Sequence, residues 1–320
     1  MHSSTLASGS RERQCRGLSF WGEMSMASEG VAVAVPLVEA VRDVRRQRAW
    51  QAFRKQRLAV AGAMIVALFV VVAVLGPRIA PFDPVKQNIR IRFQAPTSAH
   101  LLGTDEFGRD LLSRLLHGAW ISCEVGVISV ALAGIFGVVL GIVAGYIGGW
   151  LDTALTLMMD VLYAFPGLLL AIALIAVLGS SLQNVFIAIA VTNVPTFMRI
   201  VRGSVLAVRR TPYVEAAVSE GVTEPRLVLR HIFPNITPPL IVHTSLTFAY
   251  AVLAEASLAY LGLGNKPPSP SWGSMLNSSY GVLETAPWLS IVPGVAIALT
   301  VLGFNLLGDG LRDALDPRLR

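Results

Sequence analysis

The polar segment 213–235, YVEAAVSEGVTEPRLVLRHIFPN, stands between two apolar runs that are each long enough to cross a bilayer. It contains no nucleophile paired with a general base and no metal-ligand spacing, so it predicts neither a catalytic residue nor a metal site. Glu215 is followed by Ala216 and Ala217, which predict a small, smooth surface beside a negative charge. The chemistry that this pattern favours is docking to a partner protein.

Local signals divide this segment into two short helices. Thr211 is a suitable N-cap, and Pro212 suits the first helical position. Gly221 suits the left-handed residue that closes a helix. A second helix is expected from about Pro225, and Pro234 is expected to end it before the next apolar run, because proline lacks the N–H of a helix interior.

Two carboxylic acids, Asp160 and Glu255, lie inside apolar runs. A charge at the membrane centre costs roughly 2.5–3.5 kcal/mol on insertion scales, so each is expected to face protein or water. Both are candidates for a translocation path, where Glu255 could bind a substrate amine, and the alternative is a structural partner for a neighbouring helix. Arg199 and Arg202 end the run after that of Asp160 and are expected to extend to the inner surface.

The elements that must hold these residues are membrane helices. The chain is 54% hydrophobic and 14% charged, with a mean hydropathy of +0.62, whereas soluble domains carry about 25% charged residues. Six apolar runs reach the length of about 20 residues that a bilayer core requires. They cover about residues 58–76, 120–147, 153–178, 183–201, 239–262 and 287–307. We therefore predict an all-α integral membrane protein with six transmembrane helices.

The distribution of charge predicts the orientation of these helices. Residues 1–57 hold ten Lys and Arg against five acids, and residues 199–230 hold six Arg against three Glu. Because positive charge close to the spans marks the cytoplasmic side, we expect both termini and the insert to be cytoplasmic. Residues 77–118, expected outside, hold six Lys and Arg against four acids, a mild conflict with the rule.

Prolines and glycines occur within several of the apolar runs. Three prolines, each in a different run, predict kinks, because a proline inside a helix leaves a backbone carbonyl that neighbours must satisfy. They are Pro166, Pro195 and Pro293. Such kinks favour a packed bundle with moving parts, and static bends are the alternative. Gly137, Gly141 and Gly145, at four-residue spacing, predict the close approach of another helix.

The segment 100–122, HLLGTDEFGRDLLSRLLHGAWIS, predicts an amphipathic helix on the outer surface. Thr104 can act as its N-cap, and Asp105 and Glu106 suit its first turn. Its apolar residues recur at helical spacing. We divide the chain accordingly into a basic cytoplasmic tail 1–57, a first transmembrane helix 58–78, an external loop 79–118 with the amphipathic helix, a five-helix core 119–309 that includes a coupling loop 211–234, and a cytoplasmic tail 310–320.

The stretch EAAVSEGVTEPRLVLRHIFP resembles the EAA loop of ABC importer permeases. The residues that match in type and spacing are Glu215, Ala216, Ala217, Gly221 and Pro234. His231 stands where isoleucine is usual, and Phe233 replaces leucine. The stretches HLLGTDEFGRDLLSRLLHGA and LAEASLAYLGLGNKPPSPSWGSML resemble segments of the C-type permeases of dipeptide, oligopeptide and nickel importers, so the resemblance covers about residues 45–320.

This resemblance implies a type I ABC importer permease (MetI-like) fold in the bacterial plasma (inner) membrane. It implies that the five matched residues form the coupling helix for an ATPase, and that the chain is half of a translocation path that works by alternating access. The implied partners are a second, homologous permease, two ATPase subunits or domains and an extracytoplasmic substrate-binding protein, with no nucleic acid. No cofactor is implied for this chain, since ATP and Mg²⁺ would belong to the ATPase.

Several alternatives stay open. The sequence contains no G-x-x-x-x-G-K-[ST] motif, so energy from ATP must come from a partner, and the chain is not itself expected to be an enzyme. Peptides are the expected cargo, with nickel, glutathione or haem as alternatives. A stand-alone secondary transporter is a second class, although we find no internal repeat of the kind such folds often show. A membrane scaffold without transport is the third class.

Overall fold

A computed structural model describes residue 51 and residues 53–315. These residues form helices that are joined by turns. The helices are α1 (Arg57–Ile79), α2 (Leu111–Ile147), α3 (Gly149–Tyr163), α4 (Gly167–Leu178), α5 (Leu182–Arg209), α6 (Pro212–Ser219), α7 (Glu224–Leu227), α8 (Phe233–Tyr260), α9 (Trp272–Ser279) and α10 (Trp288–Leu315). Short 3₁₀ turns occupy Ile89–Ile91 and Tyr280–Val282, and a π-helical turn, Val228–Ile232, joins α7 to α8.

Within the described part of the chain, five helical stretches are long and apolar enough to cross a membrane. They are α1, α2, α5, the continuous stretch from α7 to α8, and α10. Helices α3 and α4 pass the same test only as a pair, bent by 89°. The prediction of an all-α membrane protein is confirmed, and the third apolar run is a bent pair of helices, so the described residues hold five or six candidate spans.

Pro166 breaks the third run instead of kinking it. The residue lies directly before α4, with φ −54° and ψ 125°, so the chain leaves helical geometry at this point. Proline supplies no N–H, and it disfavours helical geometry at the residue before it, which explains a full break. Pro195 and Pro293, in contrast, lie inside the continuous helices α5 and α10, where kinks stay a prediction.

Helix α2 packs closely along α5 through its glycines. A Cβ atom at Gly137 would lie 2.3 Å from Cβ of Phe197, and one at Gly145 would lie 3.0 Å from the carbonyl oxygen of Arg202. Gly141, between them, has backbone and side-chain atoms of α5 at 2.7 Å from such a Cβ position. The predicted close approach is confirmed, because a side chain at any of these positions would push the helices apart.

An aromatic cluster joins four other helices. Phe69 of α1 lies edge-on to Phe248 of α8, Phe304 of α10 and Trp272 of α9, with ring centroids 5.9–6.3 Å apart. Phe248 and Phe304 stack at 4.1 Å. Edge-to-face and offset arrangements are the favourable geometries for aromatic rings. The cluster therefore holds α1, α8, α9 and α10 together.

The predicted start of the amphipathic helix at Thr104 is wrong. Helix α2 begins at Leu111, and Asp110 is its N-cap, accepting hydrogen bonds from the backbone N–H and the hydroxyl of Ser113 at 2.8 and 2.7 Å. From there a single helix runs for 37 residues to Ile147, so the amphipathic part and the span are continuous. Asp110 rather than Thr104 caps the helix, because the hydroxyl of Thr104 is engaged in the loop whereas a carboxylate oxygen of Asp110 reaches Ser113.

The polar residues that had suggested an earlier helix start hold a loop instead. The hydroxyl of Thr104 donates to the carbonyl of Ile91 and accepts from the N–H of Gln94. The Asp105 carboxylate accepts from the backbone N–H groups of Phe107 and Arg109, both at 2.9 Å. Side chains that bond to nearby backbone in this way favour turns over helix.

The predicted boundaries agree with the structure to within one residue at the first span, 58–78 against Arg57–Ile79. The C-terminal boundary at 309 falls inside α10, which continues to Leu315. Most of the predicted basic tail, residues 1–50 and 52, lies outside the described residues.

Candidate functional site

Helix α6 begins at the predicted residue. Pro212 is its first residue and Thr211 precedes it in extended geometry, with φ −85° and ψ 144°. The predicted side-chain cap is not formed, because the Thr211 hydroxyl donates to the carbonyl of Val208 at 2.6 Å instead. The proline, whose fixed φ suits a first turn, is therefore the stronger start signal here.

Gly221 closes α6 in the predicted left-handed conformation, with φ +77°. Its backbone N–H donates to the carbonyl of Val218, and the N–H of Val222 donates to that of Ala217. A Cβ atom at Gly221 would meet nothing within 4 Å. The requirement for glycine is thus conformational, because L-residues disfavour this φ.

The two alanines of the insert have different roles. Ala216 and Glu215 are exposed, whereas Ala217 is buried and packs with Val214 and Leu227. The predicted flat patch of both alanines is therefore wrong, because residues 216 and 217 are 100° apart around a helix. Ala217 lets α6 pack on α7, and Ala216 keeps the outer face smooth.

Large apolar side chains are exposed on α6 and in the residues that follow α7. Tyr213 and Val218 are exposed on α6 itself, Leu229 is exposed in the π-helical turn, and Phe233 is exposed at the start of α8. Exposed apolar groups beside charged ones mark a surface for protein interaction. We call this surface, made by Glu215, Ala216 and those four residues, the docking face.

Pro234 does not end the second helix, contrary to prediction. Helix α7 passes through the π-helical turn Val228–Ile232 into α8, giving one helix of 37 residues from Glu224 to Tyr260. Because the π-helical turn lies directly before Pro234, the altered bonding there accommodates the missing N–H. Helix α6 is consequently joined to a transmembrane helix by a turn of only four residues, 220–223.

Glu255 is enclosed by other helices. Its side chain in α8 is 1% exposed, and its Oε2 accepts a hydrogen bond of 3.4 Å from the hydroxyl of Ser122 in α2. Its Oε1 has no hydrogen-bond partner among the described residues. This arrangement matches the structural alternative, since a residue that lines an open path would be exposed.

Asp160 belongs to a set of ion pairs between α3 and α5. Asp152 receives two hydrogen bonds from Arg202, at 2.5 and 2.7 Å. Asp160 receives one from Arg199, at 2.9 Å. Acids on the neighbouring helix thus hold both arginines, and their extension to the inner surface stays a prediction.

Sequence reasoning missed this pairing although a signal was present. Asp160 lies in the third apolar run and Asp152 directly before it. Arg199 lies in the fourth run and Arg202 directly after it, and the short connection makes these runs neighbours. Opposite charges in neighbouring membrane segments pair with one another, because an unpaired charge there is costly. Arg199 and Arg202 should therefore have been considered together with Asp160.

Comparison with known families gives two matches. Residues 137–320 match the family described as binding-protein-dependent transport system inner membrane component. Residues 45–96 match the family described as the N-terminal TM domain of oligopeptide transport permease C.

Similar proteins carry related descriptions. The chain is 43% identical to the dipeptide transport system permease protein DppC of Alkalihalophilus pseudofirmus, over 86% of this chain and 90% of the relative. It is also 43% identical to the glutathione transport system permease protein GsiD of Pectobacterium atrosepticum, over 85% and 90%. Its fold is similar to that of a chain of the inward-facing MetNI methionine ABC transporter, with a TM-score of 0.53, 20% identity, and coverage of 63% of this chain and 96% of that one.

Proposed function

Because the chain belongs to the binding-protein-dependent transport system inner membrane component family, the permeases of ABC importers, we propose that it forms half of a peptide translocation path that separate ATPase subunits drive. The observation that carries this proposal is the docking face on α6, which is attached through α7 to a transmembrane helix. A partner bound there would act on the span directly.

The docking face suits an ATPase subunit. Glu215 gives the partner a charge to pair with, and Ala216 allows close approach, while Ala217 and Gly221 fix the orientation of α6. Movement of the ATPase would pass through the helix that contains Pro234 and change the side of the membrane to which the path opens. ATP, with Mg²⁺, would be hydrolysed in that partner.

Di- and oligopeptides are the proposed cargo. The dipeptide and glutathione permeases that resemble this chain support a peptide-like substrate, because both names describe molecules with peptide bonds. Nickel and haem have no support from those names. A substrate-binding protein outside the membrane would deliver the cargo, and a second permease would complete the path.

The proposed setting is the bacterial inner membrane with both termini in the cytoplasm. The positive charge near the docking face supports this orientation, since residues 199–230 hold six Arg against three Glu. The docking face would then lie on the side where ATP is available.

The test is co-purification of ATPase subunits with the detergent-solubilised permease pair. Glu215→Arg reverses an exposed charge without a packing cost, and we expect it to lower the recovery of ATPase at least about tenfold, since loss of an interface charge pair costs 2–5 kcal/mol. Glu284→Arg, also exposed but beside α9, is the matched control and should retain the ATPase. Equal recovery in both variants would refute the docking assignment, and no ATPase with the unaltered chain would favour a stand-alone transporter.

A further inference from the structure

The ion pair between Asp160 and Arg199 is more exposed than the second pair between the same helices, Asp152 with Arg202, and it uses fewer of its hydrogen-bonding groups. We call the first pair open and the second closed. The side chains of Asp160 and Arg199 are 51% and 54% exposed, and one hydrogen bond joins them. Among the described residues, no other hydrogen bond reaches the carboxylate of Asp160 or the guanidinium of Arg199. One carboxylate oxygen and four of the five guanidinium N–H groups are thus available to a ligand.

The second pair between the same helices, Asp152 with Arg202, is closed. Its two side chains are 17% and 32% exposed, and its two hydrogen bonds use both carboxylate oxygens. The hydroxyl of Thr156 also donates to Asp152. This pair has the features of a structural connection between α3 and α5, and it serves as an internal comparison for the open one.

The open pair lies far from the end of its helix. Arg199 precedes Arg209, the last residue of α5, by ten residues, which corresponds to about 15 Å along the axis. A half-exposed charge would be costly wherever the surface around it met lipid. The surface around it must therefore be covered by water or by protein.

The accessible face of α5 differs from a lipid-facing surface. Its residues recur at helical spacing and are small, hydroxylated or charged. They are Thr192, Thr196, Arg199, Gly203 and Ala207. The exposed side of α1 carries large apolar residues instead, among them Leu58, Met64, Leu68, Val71 and Leu75. The first composition suits a water-filled path, and the second suits lipid.

We propose that Asp160 and Arg199 form a binding site for the charged ends of the transported peptide. This inference rests on the proposed function. A peptide with free ends carries an ammonium and a carboxylate at neutral pH. Arg199 would bind the carboxylate with two parallel N–H groups, and the free oxygen of Asp160 would accept from the ammonium.

Tyr163 keeps the site organised. The guanidinium of Arg199 lies 4.5 Å from the centre of the Tyr163 ring, so a cation–π contact holds the arginine even while Asp160 binds a ligand. Without cargo, the two charges neutralise each other. With cargo, two charges of the protein face two of the peptide, and the total charge in the path stays zero.

The experiment uses the complete importer in proteoliposomes, with saturating peptide-loaded binding protein. It measures the peptide that enters per ATP hydrolysed. D160N/R199Q removes both charges and keeps hydrogen-bonding groups. We expect normal recovery of the complex and ATP hydrolysis within about twofold, with peptide per ATP lowered about tenfold or more, as loss of hydrogen bonds to charged groups predicts.

D152N/R202Q is the matched control at the closed pair. It should leave peptide per ATP unchanged, whatever its effect on recovery of the complex. R199K keeps the charge but loses the planar fork, so it should give an intermediate value.

Two outcomes would overturn the site. If D160N/R199Q transports as much peptide per ATP as the unaltered chain, the pair does not bind cargo. If the second permease is lost from the D160N/R199Q complex, the pair is a contact between subunits. Absence of ATP-dependent peptide uptake by the unaltered importer would instead refute the proposed function itself.

Discussion

At the scale of single residues, the described part of the chain shows two kinds of position where substitution has a clear physical consequence. Gly137 lies where backbones approach, and Glu255 is a buried carboxylate that accepts a hydrogen bond from Ser122. In both cases the environment of the residue comes from a helix distant in sequence. The effects of substitution therefore report on the packing of the bundle.

Gly137→Ala should separate α2 from α5. The added methyl would lie 2.3 Å from Cβ of Phe197, and overpacking of this kind costs about 1–3 kcal/mol. The thermal unfolding midpoint in detergent should fall. Gly294→Ala adds the same methyl to α10 where nothing lies within 4 Å, so its midpoint should not fall. Equal midpoints for the two variants would contradict the close approach of α2 and α5.

Two substitutions of Glu255 distinguish whether the bundle requires a polar group or a charge at this position. Glu255→Gln keeps the shape and an acceptor for Ser122, so its stability should stay within about 1 kcal/mol of the unaltered chain. Glu255→Ala leaves a cavity and an unpaired hydroxyl, and it should lose about 2–4 kcal/mol. Thermal unfolding of both variants checks this. A glutamine as damaging as the alanine would show that the charge itself is required.

At the scale of elements, the sequence predicted a helix end correctly where it depends on one residue's own conformation. It failed where two residues could form the same cap, or where the path of the whole helix decides. Gly221 was predicted correctly because its conformation depends on its own φ. Thr104 was chosen wrongly because it and Asp110 are both good caps, and their loop contacts decide between them. Pro234 was misjudged because a π-helical turn, which depends on the path of the whole helix, accommodates it.

The same reasoning applies to the candidate site. The insert could be located from its charge and its residue types alone. The inward direction of Ala217 followed from helix geometry once the partner residue Leu227 was known. The ion pair of Asp160 with Arg199 was missed because the acids and the arginines were considered separately, although the short connection makes their runs neighbours.

Gly221 should keep helix α6 ordered, because its left-handed conformation closes that helix. Gly221→Ala places a side chain at φ +77°, at a cost of roughly 1–2 kcal/mol, whereas Gly221→Asn should cost less because asparagine tolerates this region. Hydrogen exchange of residues 212–219 should increase most in the alanine variant. Gly281→Ala, where nothing lies within 4 Å and φ is ordinary, is the control. Faster exchange in the asparagine variant than in the alanine variant would argue against a conformational role.

At the scale of the whole molecule, two parts of the accessible surface differ in residue composition. One side, on α1, is made of large apolar residues, whereas one face of α5 carries Thr192, Thr196, Arg199, Gly203 and Ala207. A membrane protein whose surface faced lipid throughout would show only the first. The difference distinguishes the lipid side from the side that water or another subunit covers.

This difference predicts chemical accessibility in the assembled importer. In a C15S/C123A background, T196C should react with a membrane-impermeant thiol reagent, because the reactive thiolate forms only where water is present. L68C on α1 should not react, although Leu68 is 64% exposed in the isolated chain. Labelling followed by mass measurement tests both. An unreactive T196C would mean that protein covers this face of α5.

The continuity of α7 with α8 also has a mechanical consequence. A helix of 37 residues is about 55 Å long, and its end at Glu224 is joined to the docking face by the four-residue turn 220–223. A tilt of about 10° around its outer end would displace Glu224 by about 10 Å, by the geometry of a rod of that length. If the docking face binds the ATPase as proposed, a small tilt of this helix corresponds to a large displacement at the ATPase. Conversely, a large displacement of the ATPase changes the tilt of the span by only a few degrees.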